Sequence, residues 1–256
     1  MKAPPTPRPA SLPLQALRYG RLIVHLLRGA LTVILVFGWA SPARRRTLRQ
    51  AWSARLLAIL GLKLEVSGEP LAPGSLLVAN HISWVDVFAI NAVAPAAFVS
   101  KAEVRRWPLI GWLAARNETV FLRRGSRGHA RIVNGEIARI LADGGLVAVF
   151  PEGTTSDGSH VLHFHGALLQ AALDTSHGVQ PAALSYRDQM GQRALAPAYT
   201  GDTTLKQCLA AIVRSQGLVA RITIHPTIPA SPQSDRKRIS RQAREVIAGD
   251  IARPPF

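Results

Sequence analysis

Cysteine is almost absent from this 256-residue chain, and aromatic residues are few. Cys208 is the single cysteine, which excludes an intrachain disulfide and a metal site built from several cysteines, and fits a reducing compartment. Within the helical-looking run LKQCLAAIV we interpret it as buried packing rather than as a nucleophile. Aromatic residues make up 6% of the chain, which does not suggest a surface for stacking nucleic-acid bases.

Acidic residues are also scarce. The sequence has 15 Asp and Glu against 31 Lys and Arg, for a formal net charge of +16. Such a surface needs an anionic partner, and composition alone leaves nucleic acid and anionic lipid headgroups both open. The 48% apolar fraction excludes a disordered chain, and the length predicts one well-buried core with appendages.

An apolar segment over residues 22–40, LIVHLLRGALTVILVFGWA, approaches the ~20 residues that a membrane-spanning helix needs. His25 and Arg28 in its first half make it marginal as a span. The arginines of the following SPARRRTLRQ favour membrane contact over a buried core helix, with the cytoplasm on that side if the helix spans. A helix lying in the membrane interface explains the same residues, whereas cleavage as a secretory signal fits poorly after Trp39.

Downstream of this segment, strand-like and helix-like stretches alternate, which predicts an α/β fold with a mixed sheet covered by helices. Strands are predicted at 75–79, 97–100, 119–122, 146–150, 179–185 and 219–225, and helices at 52–64, 103–116 and 129–141. The predicted organisation is a flexible leader (1–20), a membrane-associated helical segment (21–64), the motif-bearing domain (65–230) and a basic C-terminal tail or surface helix (231–256).

The run NHISWVD, residues 80–86, follows directly on the buried strand SLLVA. On a regular helix, five positions turn the side chain through about 500°, so His81 and Asp86 would point about 140° apart. They meet only if His81 lies in the turn between strand and helix and the chain bends before Asp86. A neutral imidazole oriented by a carboxylate is a suitable general base for deprotonating an alcohol. Taken alone, the pair is also compatible with a histidine that only caps a helix.

Two further polar segments follow strands. In FPEGTTS, residues 150–156, proline and glycine bend the chain while Glu152 and three hydroxyl side chains supply hydrogen-bonding groups. This segment is either a headgroup-binding turn or an ordinary loop. Arg123, Arg124 and Arg127 follow the strand TVFL, and arginine forks bind phosphate oxygens in pairs. At a strand end beside the other two motifs, they favour an anion site over a solvated charge run.

In this order and spacing, the three segments resemble the glycerolipid acyltransferase family over about residues 76–183. The resemblance implies a glycerol-3-phosphate acyltransferase-like fold, with His81 as the catalytic base and Asp86 as its partner. It implies substrate binding by a further set of residues, namely Lys101, Arg124, Glu152, Gly153, Thr154 and Pro181. Lys101 lies in SKAEVRRWPLIG, which looks like the family's linking segment, and Pro181 in VQPAAL, which is similar to a fourth, looser block.

The implied reaction transfers a fatty acyl group from acyl-CoA or acyl carrier protein to the free hydroxyl of a lysolipid. Because a thioester is already activated, neither a cofactor nor a metal is expected, and His160, His163 and His165 lack acidic or cysteine companions for zinc. The resemblance implies a membrane protein at the cytoplasmic face, which is the inner membrane in a bacterium. Its expected partners are the lysolipid, the acyl donor and membrane lipids, without nucleic acid.

Two departures from the family pattern bear on the acceptor. Glu118 stands where the second block has glycine, and Thr155 stands where the third has arginine. The resemblance favours 1-acylglycerol-3-phosphate, but the lost cation weakens the case for a phosphate headgroup. Relatives that acylate lyso-ornithine lipid also resemble this chain, including its AYTGDTTL segment, so that acceptor is the alternative.

Three other classes of function remain alternatives. A basic nucleic-acid-binding protein fits the charge, but it has no use for the apolar segment at residues 22–40. A lipid hydrolase would use His81 and Asp86 with water, although no G-x-S-x-G nucleophile turn is present. An inactive membrane scaffold is separated from an enzyme only by mutation.

Overall fold

The computed structural model describes residues 9–106, 110–122 and 127–253. The helices are α1 (Leu12–Leu35), α2 (Pro42–Leu60), α3 (Asp86–Val93), α4 (Ile110–Arg116), α5 (Arg127–Ala142), α6 (Gln170–Asp174), α7 (Leu205–Arg214) and α8 (Arg236–Ile251). The strands are β1 (Leu62–Gly68), β2 (Leu76–Ala79), β3 (Ala97–Lys101), β4 (Val120–Leu122), β5 (Val147–Val149), β6 (Val179–Arg187) and β7 (Leu218–Ile224). Short 3₁₀ helices lie at Ala102–Arg106 and Gly166–Leu169.

Within the described part of the chain, the strands form one mixed seven-stranded sheet in the order β1-β7-β6-β2-β5-β3-β4. Neighbouring strands are parallel except for the antiparallel pair β6 and β7. Strands β2 to β6 therefore share one direction, and their carboxyl ends lie along the same edge. In an open parallel sheet this edge is where ligands bind, because the turns that leave the strands are held rigidly there.

Helices cover both faces of the sheet, as the alternating sequence predicts. One hydrophobic core contains residues of α2, α3 and α7, and the other contains residues of α5, α6 and α8. Central strand β2 is buried along its whole length, which explains why its sequence is continuously apolar. Cys208 of α7 is 2% exposed in the first core, in agreement with its interpretation as packing.

The predicted helix at 52–64 ends too late, and the strand after it was missed. Helix α2 stops at Leu60 because Gly61 adopts a left-handed conformation with φ 80°, which caps the helix. Strand β1 starts at the next residue and pairs with β7. The alternation in LKLEV is the signal for this strand, and it is short enough to be absorbed into the preceding helical pattern.

The two predicted terminal segments contain more regular structure than expected. Helix α1 begins at Leu12, inside the predicted leader, because Ser11 and a proline in the first turn favour a helix start. Near the other end, α8 is not a free tail. Its buried residues Ile239, Ala243 and Ile247 recur every four positions and complete the second core.

The N-terminal helix was predicted to be membrane-associated, as either a span or an interfacial helix. Among the residues that the structure describes, no helix combines the length and the apolar character that crossing a membrane requires. Helix α1 packs on α2 through stacking of His25 on Trp52, with ring centroids 4.5 Å apart. Its opposite side exposes large aliphatic residues, including Leu27 and Leu31.

Candidate active site

The turn after β2 brings His81 and Asp86 together. Asn80 ends the strand by exchanging two side-chain hydrogen bonds with the backbone of Leu184 on β6. The chain then turns, and Asp86 becomes the first residue of α3. The His81 Nδ1 atom lies 2.8 Å from Asp86 Oδ2. The bend that the sequence required is therefore present, and the two residues meet across the turn rather than along a helix.

Asp86 is fully buried and accepts most of the hydrogen bonds that hold the turn. Besides His81, its Oδ2 accepts hydrogen bonds from the backbone N–H groups of Ile82 and Ser83, at 2.7 and 2.9 Å. A carboxylate only accepts, so His81 Nδ1 carries the proton in this contact, and the lone pair of Nε2 is left free. The arrangement fixes the imidazole tautomer that a general base needs.

Tyr186 completes the group, and sequence analysis missed it. Its hydroxyl donates to Asp86 Oδ1 at 2.6 Å. Burial, together with the charge of Asp86, raises the pKa of Tyr186 well above its ordinary value, so the phenol keeps its proton. Tyr186 lies 100 residues after Asp86 in the chain. The two residues come into contact because β6 pairs with β2. No local motif marks this tyrosine, so the sequence offered no signal for it.

The ring of His81 is held by stacking as well as by hydrogen bonding. It lies parallel to the ring of Phe150, with centroids 4.0 Å apart and an interplanar angle of 11°. Phe150 in turn stacks near Phe98, which is buried in the core. The side chain of His81 remains 21% exposed, so the imidazole is held by Phe150 and is still accessible to a substrate.

Glu152 supports the same turn from the end of β5. Its Oε1 accepts from the backbone N–H of His81 at 3.0 Å, and its Oε2 accepts from the backbone N–H of Leu162 at 3.3 Å. Burial raises the pKa of Glu152 to about 7, although these two hydrogen bonds oppose the shift. Glu152 is therefore placed to hold the backbone of the His81 turn.

The other residues predicted to bind substrate are spread more widely. Gly153, with φ 68°, forms the tight turn after Glu152, and Thr154 is exposed beside it. Lys101 is exposed at the carboxyl end of β3, on the same edge of the sheet. Pro181 lies within β6 and pairs with Val78 of β2. Val78 is three positions before His81, a separation of about 10 Å along an extended strand. The structure does not bring Pro181 to the His81 turn.

Arg124 lies outside the described residues, together with Arg123. The predicted contact of Arg124 with the acceptor headgroup therefore stays a prediction. The preceding strand β4 runs parallel to β3, so its carboxyl end points toward the same edge as Lys101.

The two departures from the family pattern have separate structural settings. Glu118 has φ 57°, a left-handed conformation that glycine adopts more easily, and its carboxylate pairs with Arg49 at 2.9 Å. Thr155 turns its hydroxyl onto the backbone carbonyl of Tyr199. Position 155 is thus occupied by a loop contact and presents no charge.

No group of three or more potential His, Cys, Asp or Glu metal ligands occurs in the described ranges. His163 and His165 lie near each other, with ring centroids 5.2 Å apart, but both are exposed.

Comparison with known proteins connects this arrangement to one family. The sequence model of the family described as Acyltransferase matches residues 63–185, which include His81, Asp86 and Glu152. The lyso-ornithine lipid O-acyltransferase of Pseudomonas aeruginosa is 42% identical over 207 residues, covering 81% of this chain and 79% of that protein. The 1-acyl-sn-glycerol-3-phosphate acyltransferase of Neisseria meningitidis serogroup B is 35% identical over 241 residues, covering 91% of this chain and 93% of that protein.

A solved structure shares the fold. The crystal structure of the 1-acyl-sn-glycerophosphate acyltransferase from Thermotoga maritima superposes with a TM-score of 0.72, covering 96% of this chain and 98% of that one. Sequence identity between the two is 23%, so this likeness describes the architecture alone.

Proposed function

The chain belongs to the acyltransferase family, and on that premise we propose that it transfers a fatty acyl group from a thioester to the free hydroxyl of a lysolipid, with His81 as general base. The observation that carries this proposal is the His81–Asp86 contact, which leaves Nε2 free on an accessible ring. In this arrangement the carboxylate orients the imidazole and stabilises the imidazolium.

The reaction then proceeds in two linked parts. His81 Nε2 takes the proton of the lysolipid hydroxyl while the hydroxyl oxygen attacks the thioester carbonyl carbon. As the tetrahedral intermediate collapses, the carbon–sulfur bond breaks and the departing thiolate receives the proton from the imidazolium. The products are an ester and a free thiol. Acyl-CoA and acyl carrier protein both supply such a thioester, and both are candidate donors.

Two lysolipids are candidate acceptors. Similarity to the Neisseria protein supports 1-acyl-sn-glycerol-3-phosphate, whose acylation gives phosphatidate, and similarity to the Pseudomonas protein supports lyso-ornithine lipid. Around the acceptor we assign the turn Glu152–Thr154 to positioning. We assign Lys101 and Arg124 to substrate binding at the same edge of the sheet, because Lys101 ends β3 and Arg124 follows β4, which runs parallel to β3.

We also propose that the enzyme works at the membrane, on its cytoplasmic face. The exposed aliphatic side of α1 is suited to the apolar part of a lipid interface, and Arg44, Arg45 and Arg46 follow it at the start of α2. Anionic headgroups attract such cations. This location gives the catalytic edge access to lysolipids that stay in the bilayer.

The direct test is acyl transfer by the purified full-length protein in vesicles, with labelled acyl-CoA and acyl carrier protein as donors. Each acceptor is offered intact and as an analogue in which hydrogen replaces the free hydroxyl. We expect a labelled diacyl product from at least one intact lysolipid and none from its deoxy analogue. Thioester cleavage without a lipid product would instead identify a hydrolase and contradict the proposal.

A further inference from the structure

An open cavity of ≈ 300 Å³ lies beside the catalytic turn and contains charges of both signs. Its lining includes Ile82, the residue after His81, and the charged residues Asp157, Arg187 and Arg193. The volume is within the range of small-ligand sites. The cavity borders the carboxyl end of β6, at the same edge of the sheet as the proposed base.

Asp157 and Arg193 form an ion pair at the cavity wall. Arg193 Nη1 lies 2.6 Å from Asp157 Oδ2. Asp157 also accepts hydrogen bonds from the hydroxyl and the backbone N–H of Ser159, at 2.6 and 2.9 Å. These bonds and then Arg193 hold the pKa of Asp157 well below its usual range, so the carboxylate stays ionised. Both side chains are about 40% exposed, so a ligand entering the cavity can reach them.

Arg187 contributes a second cation with unused hydrogen-bonding capacity. Its Nη1 makes a long bond of 3.4 Å to the carbonyl of Gly191. Its Nε is buried and has no hydrogen-bond partner among the residues that the structure describes. An unpaired buried donor is unfavourable, and a guanidinium fork is well matched to a carboxylate. Arg187 is thus suited to an anionic group that enters the cavity.

From this combination we propose that the cavity binds the zwitterionic headgroup of an amino-acid lysolipid. Arg187 and Arg193 bind the headgroup carboxylate, and Asp157 forms an ion pair with the headgroup ammonium. This inference rests on the proposed function, and it selects lyso-ornithine lipid over lysophosphatidate as the preferred acceptor. An N-acylated ornithine carries one carboxylate and one side-chain ammonium, which matches the charges in the cavity.

A phosphate monoester matches the same cavity less well. Its oxygens would pair with the two arginines, but the charge of Asp157 would repel them at short range. Thr155 adds no cation for a phosphate, since its uncharged hydroxyl donates a hydrogen bond to the backbone carbonyl of Tyr199. Asp157 is therefore expected to help an ornithine headgroup and to hinder a phosphate.

The experiment compares acceptors in the Asp157→Asn variant of the full-length enzyme. Asparagine keeps an oxygen to accept the Ser159 bonds but loses the charge. We expect kcat/KM for lyso-ornithine lipid to fall about tenfold, mainly through KM, and kcat/KM for lysophosphatidate to rise. Arg187→Gln should lower kcat/KM for lyso-ornithine lipid by a similar factor.

As a matched control, Glu65→Gln removes a carboxylate that pairs with Lys63 and Arg221 on β1 and β7, outside the cavity lining.

The outcomes separate this inference from the proposed function. Opposite responses of the two acceptors to Asp157→Asn, with Glu65→Gln like wild type, support the cavity as the headgroup site. Equal responses of both acceptors, or none, overturn it while acyl transfer by the wild type stands. If the wild type acylates neither lysolipid, the proposed function itself fails, and binding of Nα-octanoyl-ornithine to wild type and Asp157→Asn still tests the cavity. Equal affinities in that binding measurement would overturn the headgroup assignment.

Discussion

At the scale of single residues, the site is organised around the carboxylate of Asp86 rather than around His81. Asp86 accepts from the imidazole, from two backbone N–H groups and from the Tyr186 hydroxyl. A buried carboxylate is stable only when hydrogen bonds replace its lost hydration. Those bonds fix its position, and its position fixes the ring of His81. Tyr186 therefore acts as a positioning residue, because it touches Asp86 and not the reacting atoms.

Tyr186→Phe is predicted to lower kcat roughly tenfold, because it removes one hydrogen bond to a charged group and keeps the buried ring. Without the phenol hydrogen bond, Asp86 is held less firmly and orients the imidazole less well, so kcat should fall while KM stays close to that of the wild type. The measurement is kcat against pH for wild type and variant in the same vesicles. Glu152 titrates in both proteins, so the difference between the profiles isolates the effect of Tyr186.

Tyr19→Phe is the matched control, since Tyr19 is on α1 and 37% exposed. Its profile should coincide with that of the wild type. A Tyr186→Phe profile that coincides with that of the wild type would indicate that the tyrosine only packs the core.

The contact between His81 and Asp86 could be predicted from sequence because the two residues lie five positions apart, in a turn that directly follows a recognisable strand. Tyr186 and the contact of Thr155 with Tyr199 could not, because each depends on segments that are distant in the chain. The substrate-binding role of Pro181 stays a prediction. A family motif marked it, yet strand pairing holds it about 10 Å before the turn.

At the scale of elements, α1 is a helix with two different sides. One side is fixed to the protein by the His25–Trp52 stack and by Arg18, which donates to the carbonyls of Val213 and Ser215. The other side exposes aliphatic residues at positions 23, 27, 31 and 34, a stripe along one face of the helix. A stripe of this kind is suited to lie in a lipid interface with the helix axis along the surface.

Replacing Leu27 and Leu31 together by glutamate is predicted to release the protein from vesicles. The two side chains are 59% and 54% exposed, so the fold does not depend on their packing. Transferring a leucine out of an apolar environment costs about 1.5–3 kcal/mol, so the partition coefficient should fall at least about tenfold. Co-sedimentation with vesicles measures this directly.

Ile132→Glu on α5 is the control, because Ile132 is similarly exposed at 60% but lies on another helix. The control variant should sediment like the wild type. If the α1 variant also remains bound, membrane association does not depend on this face.

The central strands were predictable because continuous apolar runs bounded by turn residues indicate buried strands. The outermost strand of the sheet, β1, was harder to predict. Strand β1 follows α2 after a single glycine, so local periodicity merged the two. The predominance of basic residues at 231–256 predicted a tail or a surface helix, whereas the apolar residues at every fourth position of α8 pack into the core.

At the scale of the whole molecule, the fold gathers distant motifs at one edge of the sheet. Strands β2, β3, β5 and β6 run in the same direction. The His81 and Glu152 turns follow β2 and β5 at this edge, and Lys101 and Arg187 are the last residues of β3 and β6. The net charge of +16 is consistent with the proposed action at a membrane, because cations are attracted to anionic lipid headgroups.

The assignment of His81 as the base of an acyl transfer is tested by kcat/KM of the His81→Asn variant. The asparagine amide can still donate to Asp86 but cannot take up a proton at neutral pH. We predict a loss of about 10²–10⁴-fold, with thermal unfolding and vesicle binding like those of the wild type and of His163→Ala. A folded His81→Asn enzyme that keeps activity within a few-fold of wild type would rule out His81 as the base.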